Sequence, residues 1–208
     1  MLLPLEDLVI KYKMNIRGVL HIGAHECEEL NLYNKLNIFN DKIIWVEANP
    51  TLCQNIIEQD KNIIIKNFIC CDTDIGNTTL HIANNGQSSS ILELETHLKH
   101  HPHVQYINDI KVINKTIDTM YSEDNIPYDF ANFLNIDIQG AELLALKGMT
   151  KVINNYDYIF LEVNKEHLYK DCALVNEIDS FLKTFNFTRV ETYWTNCNWG
   201  DALYIKDK

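Results

Sequence analysis

Three carboxylates close apolar runs in this chain: Glu47 follows Ile44-Trp45-Val46, Asp137 follows Phe133-Leu134-Asn135-Ile136, and Glu162 follows Phe160-Leu161. Carrying a carboxylate to the end of a buried segment is costly unless it finds a partner or a task. In an open α/β sheet the carboxyl ends of the strands face the ligand crevice, so these acids are expected to line one edge and one site. A further turn, Leu20-His21-Ile22-Gly23-Ala24-His25-Glu26-Cys27, sets a glycine directly after an apolar run, where bare backbone admits a ligand. Only the first glycine of a G-x-G-x-x-G pattern is present, and alone the turn reads equally as a plain tight turn. Glu47, roughly 20 residues further on, stands where an acid accepts hydrogen bonds from both ribose hydroxyls of an adenosine-containing ligand. Its competing role, capping the next helix, is better filled by Asn49 ahead of Pro50. Together the two turns point to nucleoside binding.

Cys70-Cys71-Asp72 ends the third run, and Asp72 is either an acceptor for an adenine amino group or a turn residue. The adjacent cysteines read as small buried groups. Glu142 opens the helix after Asp137, where the helix dipole stabilises an acid without any functional demand.

The elements that must hold these residues follow from alternation. Runs at Gly18–Ile22, Ile43–Val46, Ile63–Cys70, Phe133–Ile136 and Tyr158–Val163 read as strands. The stretches Glu28–Leu36, Leu52–Gln59, Ala141–Lys147 and Val175–Phe185 between or after them have helical spacing. Strand and helix in turn imply parallel crossovers, and near-continuous apolar strands imply helices on both faces, hence an open, doubly wound α/β sheet. Two departures stand out. Residues 78–116 form an irregular insertion, with a short strand at Thr79–Ile82, a turn at Asn84-Asn85-Gly86 and then Ser88-Ser89-Ser90, placed to shape a site. Thr188–Trp194 and Ala202–Ile205 have no helix between them and must pair as an antiparallel hairpin.

The length of 208 residues predicts one domain, 1–208, with residues 1–16 as an N-terminal helix or cap. The formal charge of −11 argues against nucleic acid and anionic lipid as partners. No segment is long and apolar enough for a membrane helix. Six cysteines without C-x-x-C or metal spacing predict a reducing, cytoplasmic compartment.

The run Asn135–Gly148, NIDIQGAELLALKG, closely resembles the signature of FkbM-family S-adenosylmethionine-dependent methyltransferases. The Gly23-Ala24-His25 turn, Val46–Pro50, Asn84–Ser90, Leu161-Glu162-Val163 and Trp199–Tyr204 agree in order, so the resemblance spans nearly the whole chain. It implies a class I methyltransferase fold, a Rossmann-like seven-stranded sheet whose last strand is antiparallel, as the C-terminal hairpin suggests independently. It implies S-adenosylmethionine as cofactor, with His21, Gly23, Ala24 and His25 at its methionine part, Glu47 and Ala48 at the ribose, Cys71 and Asp72 at the adenine, and Asp137 near the methyl. His21, Asn135 and Cys27 depart from the residues common in the family. A neutral His21 accepts from the cofactor's ammonium and an imidazolium cannot, which predicts binding that weakens below the ordinary imidazole pKa of about 6.5.

Asp137 is the first candidate to orient or deprotonate an acceptor, directly or through a divalent cation, and Glu162 the second. No third ligand is evident and the metal stays unassigned. The hairpin should bring Trp194, Asn198, Trp199 and Asp201 over the crevice, beside Ser89 and Ser90; the alternative is that one Trp, Trp194 first, simply packs on the sheet. Aromatic faces with amides and carboxylates suit a polyhydroxylated acceptor, and the resemblance points to O-methylation of a sugar or glycan. The run His97-Leu98-Lys99-His100-His101-Pro102-His103 lacks zinc spacing and reads as a solvated loop, with a lid as the alternative. Two other functions compete: a catalytically degenerate cofactor-binding module in a glycan-processing assembly, and an NAD-dependent oxidoreductase, which the missing glycines disfavour. The oligomeric state stays open.

Overall fold

The computed structural model describes residues 1–207. Its elements in chain order are α1 (Leu5–Tyr12), β1 (Val19–Ile22), α2 (Leu30–Lys35), β2 (Ile43–Glu47), α3 (Pro50–Gln59), β3 (Ile64–Asn67), β4 (Ile69–Cys70) and β5 (Asn77–Ala83). These are followed by α4 (His97–His100), β6 (Tyr106–Lys115), α5 (Ile117–Glu123), β7 (Phe133–Ile136), α6 (Glu142–Lys147), β8 (Tyr158–Asn164), α7 (Val175–Lys183), β9 (Phe187–Trp194) and β10 (Trp199–Lys206). Seven strands form one sheet in the order β3-β2-β1-β7-β8-β10-β9. The first five of these pair in parallel, and β10 runs antiparallel to both β8 and β9. This is the doubly wound sheet with an antiparallel C-terminal hairpin that the sequence predicts.

Strand alternation divides the core and sets the site. Side chains at successive strand positions point to opposite faces. Val19, Ile43, Trp45, Phe133, Phe160 and Leu203 pack with Leu5, Leu8 and Tyr33 under α1 and α2. Leu20, Ile22, Leu134, Ile136, Leu161 and Tyr204 pack with Met120, Leu146 and Ile178 under α5, α6 and α7. Fully burying one such side chain contributes about 1.5–3 kcal/mol, so the parity of each strand is strongly fixed. That parity puts His21, Asn135, Glu162 and Asp201 on the α1–α2 side. There His21 lies opposite Asn135, and Glu162 opposite Asp201, in the strand registers.

The third predicted strand is two. Residues 64–67 join the large sheet, whereas Ile69 and Cys70 pair with β6 in a separate three-stranded sheet ordered β4-β6-β5. The split has a packing cause: Phe68 and Cys70 enter the large core, while Ile69 and Cys71 enter a small one with Leu80 and Val112. In the segment 78–116, expected to be irregular apart from a short strand, residues 78–83 and 106–115 belong to this second sheet, in which β5 and β6 pair antiparallel. Within β6 only Val112 is buried, so its ten residues carry little hydrophobic pattern. The expected cap of α3 is present, with Asn49 accepting from the Thr51 amide at 3.0 Å and Pro50 at the first helical position. Among the described residues no helix is long and apolar enough to cross a membrane.

Candidate active site

Two adjoining cavities open at the carboxyl edge of the parallel strands. The larger, about 470 Å³, is lined by Asp137, Glu162, Asp201, Tyr169 and Trp199, with His97, His101 and His103 on its wall. The second is bordered by Glu47, Ala48, Cys70, Phe68, Ser89 and Ser90. Gly23, His25, Gln139 and Asp137 line both, so Asp137 stands at the seam.

The first turn is built for close approach. Gly23 has φ +90°, and a Cβ there would meet the Asp137 carbonyl oxygen at 1.8 Å. The turn is tied to the second strand by Gly23 and Ala24 amides donating to the Val46 carbonyl at 2.9 and 3.0 Å. Glu47 then accepts from the His25 amide at 2.8 Å and the Asn49 amide at 2.7 Å, one bond to each carboxylate oxygen. Each oxygen keeps a lone pair for a further donor. Burial raises the Glu47 pKa, and the two amide bonds oppose that shift.

Asp137, Glu162 and Asp201 line one cavity. Asp137 is exposed where the two cavities meet; reduced hydration among the surrounding protein raises its pKa, and the Gln139 amide opposes that shift. Glu162 is buried and shifted well above the carboxylate range, first by burial and then by Asp137, Glu142 and Asp201. Like charges directly opposite in a sheet repel, and the Glu162–Asp201 register makes such a pair. Asp201 offsets this by accepting from the Leu2 and Leu3 amides. Glu142 accepts from the Ile138 and Gly140 amides at 3.1 and 3.0 Å, its other oxygen has no partner, and burial raises its pKa to about 7. A set of carboxyls that cannot all ionise together can take up a proton near neutral pH.

A family model for the methyltransferase FkbM domain matches residues 21–189. The chain belongs to the FkbM methyltransferase family. Among solved structures it resembles an FkbM methyltransferase from Methylobacillus flagellatus KT, at 15% identity and TM-score 0.53, covering 91% of this chain and 43% of that one. The FkbM chain described here thus spans less than half of that relative's length. Magnesium protoporphyrin IX methyltransferase from Synechocystis PCC 6803, solved with bound S-adenosylmethionine, is 7% identical with TM-score 0.51, over 97% of this chain and 76% of that one. The methyltransferase domain of bacterial CtHen1-C is 7% identical with TM-score 0.52, over 99% and 97%. These likenesses show the class I methyltransferase fold. No curated protein matches the sequence.

The residues of this FkbM domain fit S-adenosylmethionine on their own features: a bare-backbone cradle at Gly23, free lone pairs on Glu47, and a second cavity with apolar walls at Leu52, Phe68 and Ile69. Membership of the family removes the NAD-dependent oxidoreductase reading. Among the described residues no group of three or more His, Cys, Asp or Glu side chains is arranged to hold a metal ion, so no cation is assigned.

Several expected positions need correction. His21 is buried, stacked on Trp45 at 4.6 Å, with its Nδ1 3.0 Å from the Tyr33 hydroxyl. Asn135 also donates to that hydroxyl at 3.0 Å, and the His21 ring lines the floor of the larger cavity. Burial lowers its pKa to about 3, which removes the expected weakening near pH 6.5. Glu28 and Glu29, overlooked in the sequence, line the larger cavity together with Gly23.

Cys71 and Asp72 line neither cavity, since the chain turns into the small sheet at Ile69; Cys70 borders the second cavity instead. Ala24 is a core residue that contributes only its backbone. Ser89 and Ser90 lie on the second cavity, not the larger one, and spend their hydroxyls on the Gly86 and Gln139 carbonyls at 2.6 and 2.7 Å; Ser88 borders the larger cavity. Trp199 and Asp201 do line the larger cavity, whereas Trp194 packs on the α5–α7 core with Lys165 over its ring and Asn198 borders neither cavity. The histidine run is solvated along most of its length, with residues 101–103 in a loop, but His97–His100 forms the short helix α4, and His97 is buried with its pKa lowered to about 4 by burial and by His101.

Proposed function

We propose that this chain transfers the methyl group of S-adenosylmethionine to a hydroxyl of a small polyhydroxylated acceptor, a sugar or glycan. The observation that carries this reading is the position of Asp137, shared between the cavity beside Glu47 and the 470 Å³ cavity beneath Trp199. When bound, the cofactor supplies a methyl on a positively charged sulfur, which leaves as a neutral thioether. The task left to the protein is to align an acceptor oxygen in line with that methyl and to take its proton. Asp137 is placed to do both, and Glu162 stands behind it as the second carboxyl of the pair. The Trp199 ring, with the Asn85, Gln87 and Ser88 side chains on the same cavity, suits a ring carrying several hydroxyls.

Among the described residues no Lys or Arg lines the larger cavity, which with the charge of −11 disfavours a polyanionic partner such as nucleic acid. Six free cysteines suit a reducing, cytoplasmic setting. The test is incubation with S-adenosylmethionine labelled on its methyl and a panel of sugars and glycans. Base-stable label in a carbohydrate supports the reading. Label only in amines or base-labile esters would overturn the acceptor class, and cofactor binding without transfer to any acceptor would leave a degenerate cofactor-binding module in a larger assembly.

A further inference from the structure

Gln139 lies between the two carboxyls assigned to chemistry and touches both. Its Nε2 is 2.7 Å from Asp137 Oδ1 and 3.3 Å from Glu162 Oε2. Its Oε1 accepts from the Tyr169 hydroxyl at 2.6 Å. The amide has only one workable orientation, because turning it over would aim its oxygen at two carboxyl oxygens. The backbone is fixed as well. Gln139 adopts φ +54°, a left-handed conformation that a residue with a Cβ keeps only when its surroundings impose it. The buried Ser90 hydroxyl donates to the Gln139 carbonyl at 2.7 Å. Tyr169 in turn packs against His97 and is tied to the insertion through the Leu94–Tyr169 bridge. Three separate parts of the chain thus converge on one side chain that is neither acid nor base.

Resting on the function proposed above, we propose that Gln139 is a positioning residue that clamps Asp137 and Glu162 into one proton-sharing pair, holding Asp137 ionised toward the acceptor while Glu162 keeps the proton. The shorter bond goes to Asp137, and a hydrogen bond to a charged acceptor is the shorter and stronger kind. The other titratable groups facing the pair are Glu142 from α6, Asp201 from β10, Glu28 and Glu29 from the turn before α2, the Met1 amino group and the Tyr169 hydroxyl. All four carboxylates disfavour a second negative charge at the pair; burial keeps Glu162 protonated while Asp137 is exposed, and the shorter bond from the amide holds the single charge on Asp137. As the acceptor oxygen bonds to the methyl and the carbon–sulfur bond breaks, its electron pair stays on sulfur and the hydroxyl proton passes to Asp137, then to solvent.

The test is Gln139→Leu, which removes both N–H donors without adding charge, with Tyr169→Phe, which removes only the hydroxyl that holds the amide. Side-chain carboxyl titrations followed by carbon NMR in the labelled protein read the pair without needing turnover. The Asp137 midpoint is expected to move upward by about one pH unit in Gln139→Leu, the size of one amide bond to a carboxylate, and less in Tyr169→Phe. In turnover, kcat should fall on the acid side and recover as pH is raised, with KM for cofactor and acceptor within threefold. An Asp137 midpoint unchanged in both variants overturns the clamp. If Gln139→Leu does not fold, Tyr169→Phe alone decides, since its ring packing is kept. Failure of the functional reading is distinguishable, because it shows as a wild type that transfers no methyl while the titration shift stands.

Discussion

Replacing Glu142 by Gln should remove the pH dependence that this residue gives to stability. Glu142 is fully buried, one oxygen accepts the Ile138 and Gly140 amides, and the other has no partner. Its pKa is raised from 4.5 to about 7 in the folded protein. The folded state therefore binds the proton more tightly than the unfolded chain. The associated stability is fully present below pH 4.5 and is lost as pH rises toward 7 and beyond. At 1.36 kcal/mol per pH unit the interval corresponds to a ceiling of about 3 kcal/mol. A glutamine keeps the acceptor for both amides and cannot ionise. Its new N–H meets the same unpartnered position, at a cost independent of pH, so the slope and not the absolute stability is the readout. Urea unfolding at pH 5, 6, 7 and 8 should show the variant gaining on the wild type by about 1–3 kcal/mol across that range. Parallel curves for the two proteins would refute the reasoning, because they would mean that Glu142 is ionised in the folded state throughout.

Two further outcomes follow from the first turn. Because burial lowers the His21 pKa to about 3, affinity for S-adenosylhomocysteine measured by calorimetry should be flat between pH 5.5 and 8 as far as His21 is concerned; a fall centred near 6.5 that disappears in His21→Asn would contradict this. Gly23→Ala should abolish cofactor binding and lower the unfolding midpoint, since the added Cβ meets the Asp137 carbonyl at 1.8 Å in a backbone conformation that itself costs an alanine about 1 kcal/mol; unchanged affinity would show that the turn relaxes freely.

The fold was legible where local pattern and tertiary packing agree. The apolar runs ending in Glu47, Asp137 and Glu162 became parallel strands with those acids at one edge, because burial on both faces writes itself into an unbroken apolar run. The second sheet was not legible. β6 is exposed along most of its length, and its pairing with β5 and β4 is a long-range fact that no local period records. Asp72 follows the chain into that sheet and lines neither cavity, whereas His97, His101 and His103 line the larger one. Glu142 looked like a surface acid favoured by a helix dipole. It is buried because α6 is short and its first turn tucks beneath the 138–140 loop. Trp194, the indole expected to be the one packed on the sheet if either is, joins the core, and the register of β9 on β10 leaves Trp199 to the cavity.

The most direct test pairs two readouts on Asp137→Asn: calorimetric affinity for S-adenosylhomocysteine and transfer of labelled methyl to a carbohydrate acceptor. The position of Asp137 at the seam of the two cavities predicts affinity within a few fold of the wild type and turnover reduced at least a hundredfold, the range typical of a lost general base. Equal loss of affinity and turnover would contradict the account and move Asp137 into the cofactor site or the fold itself.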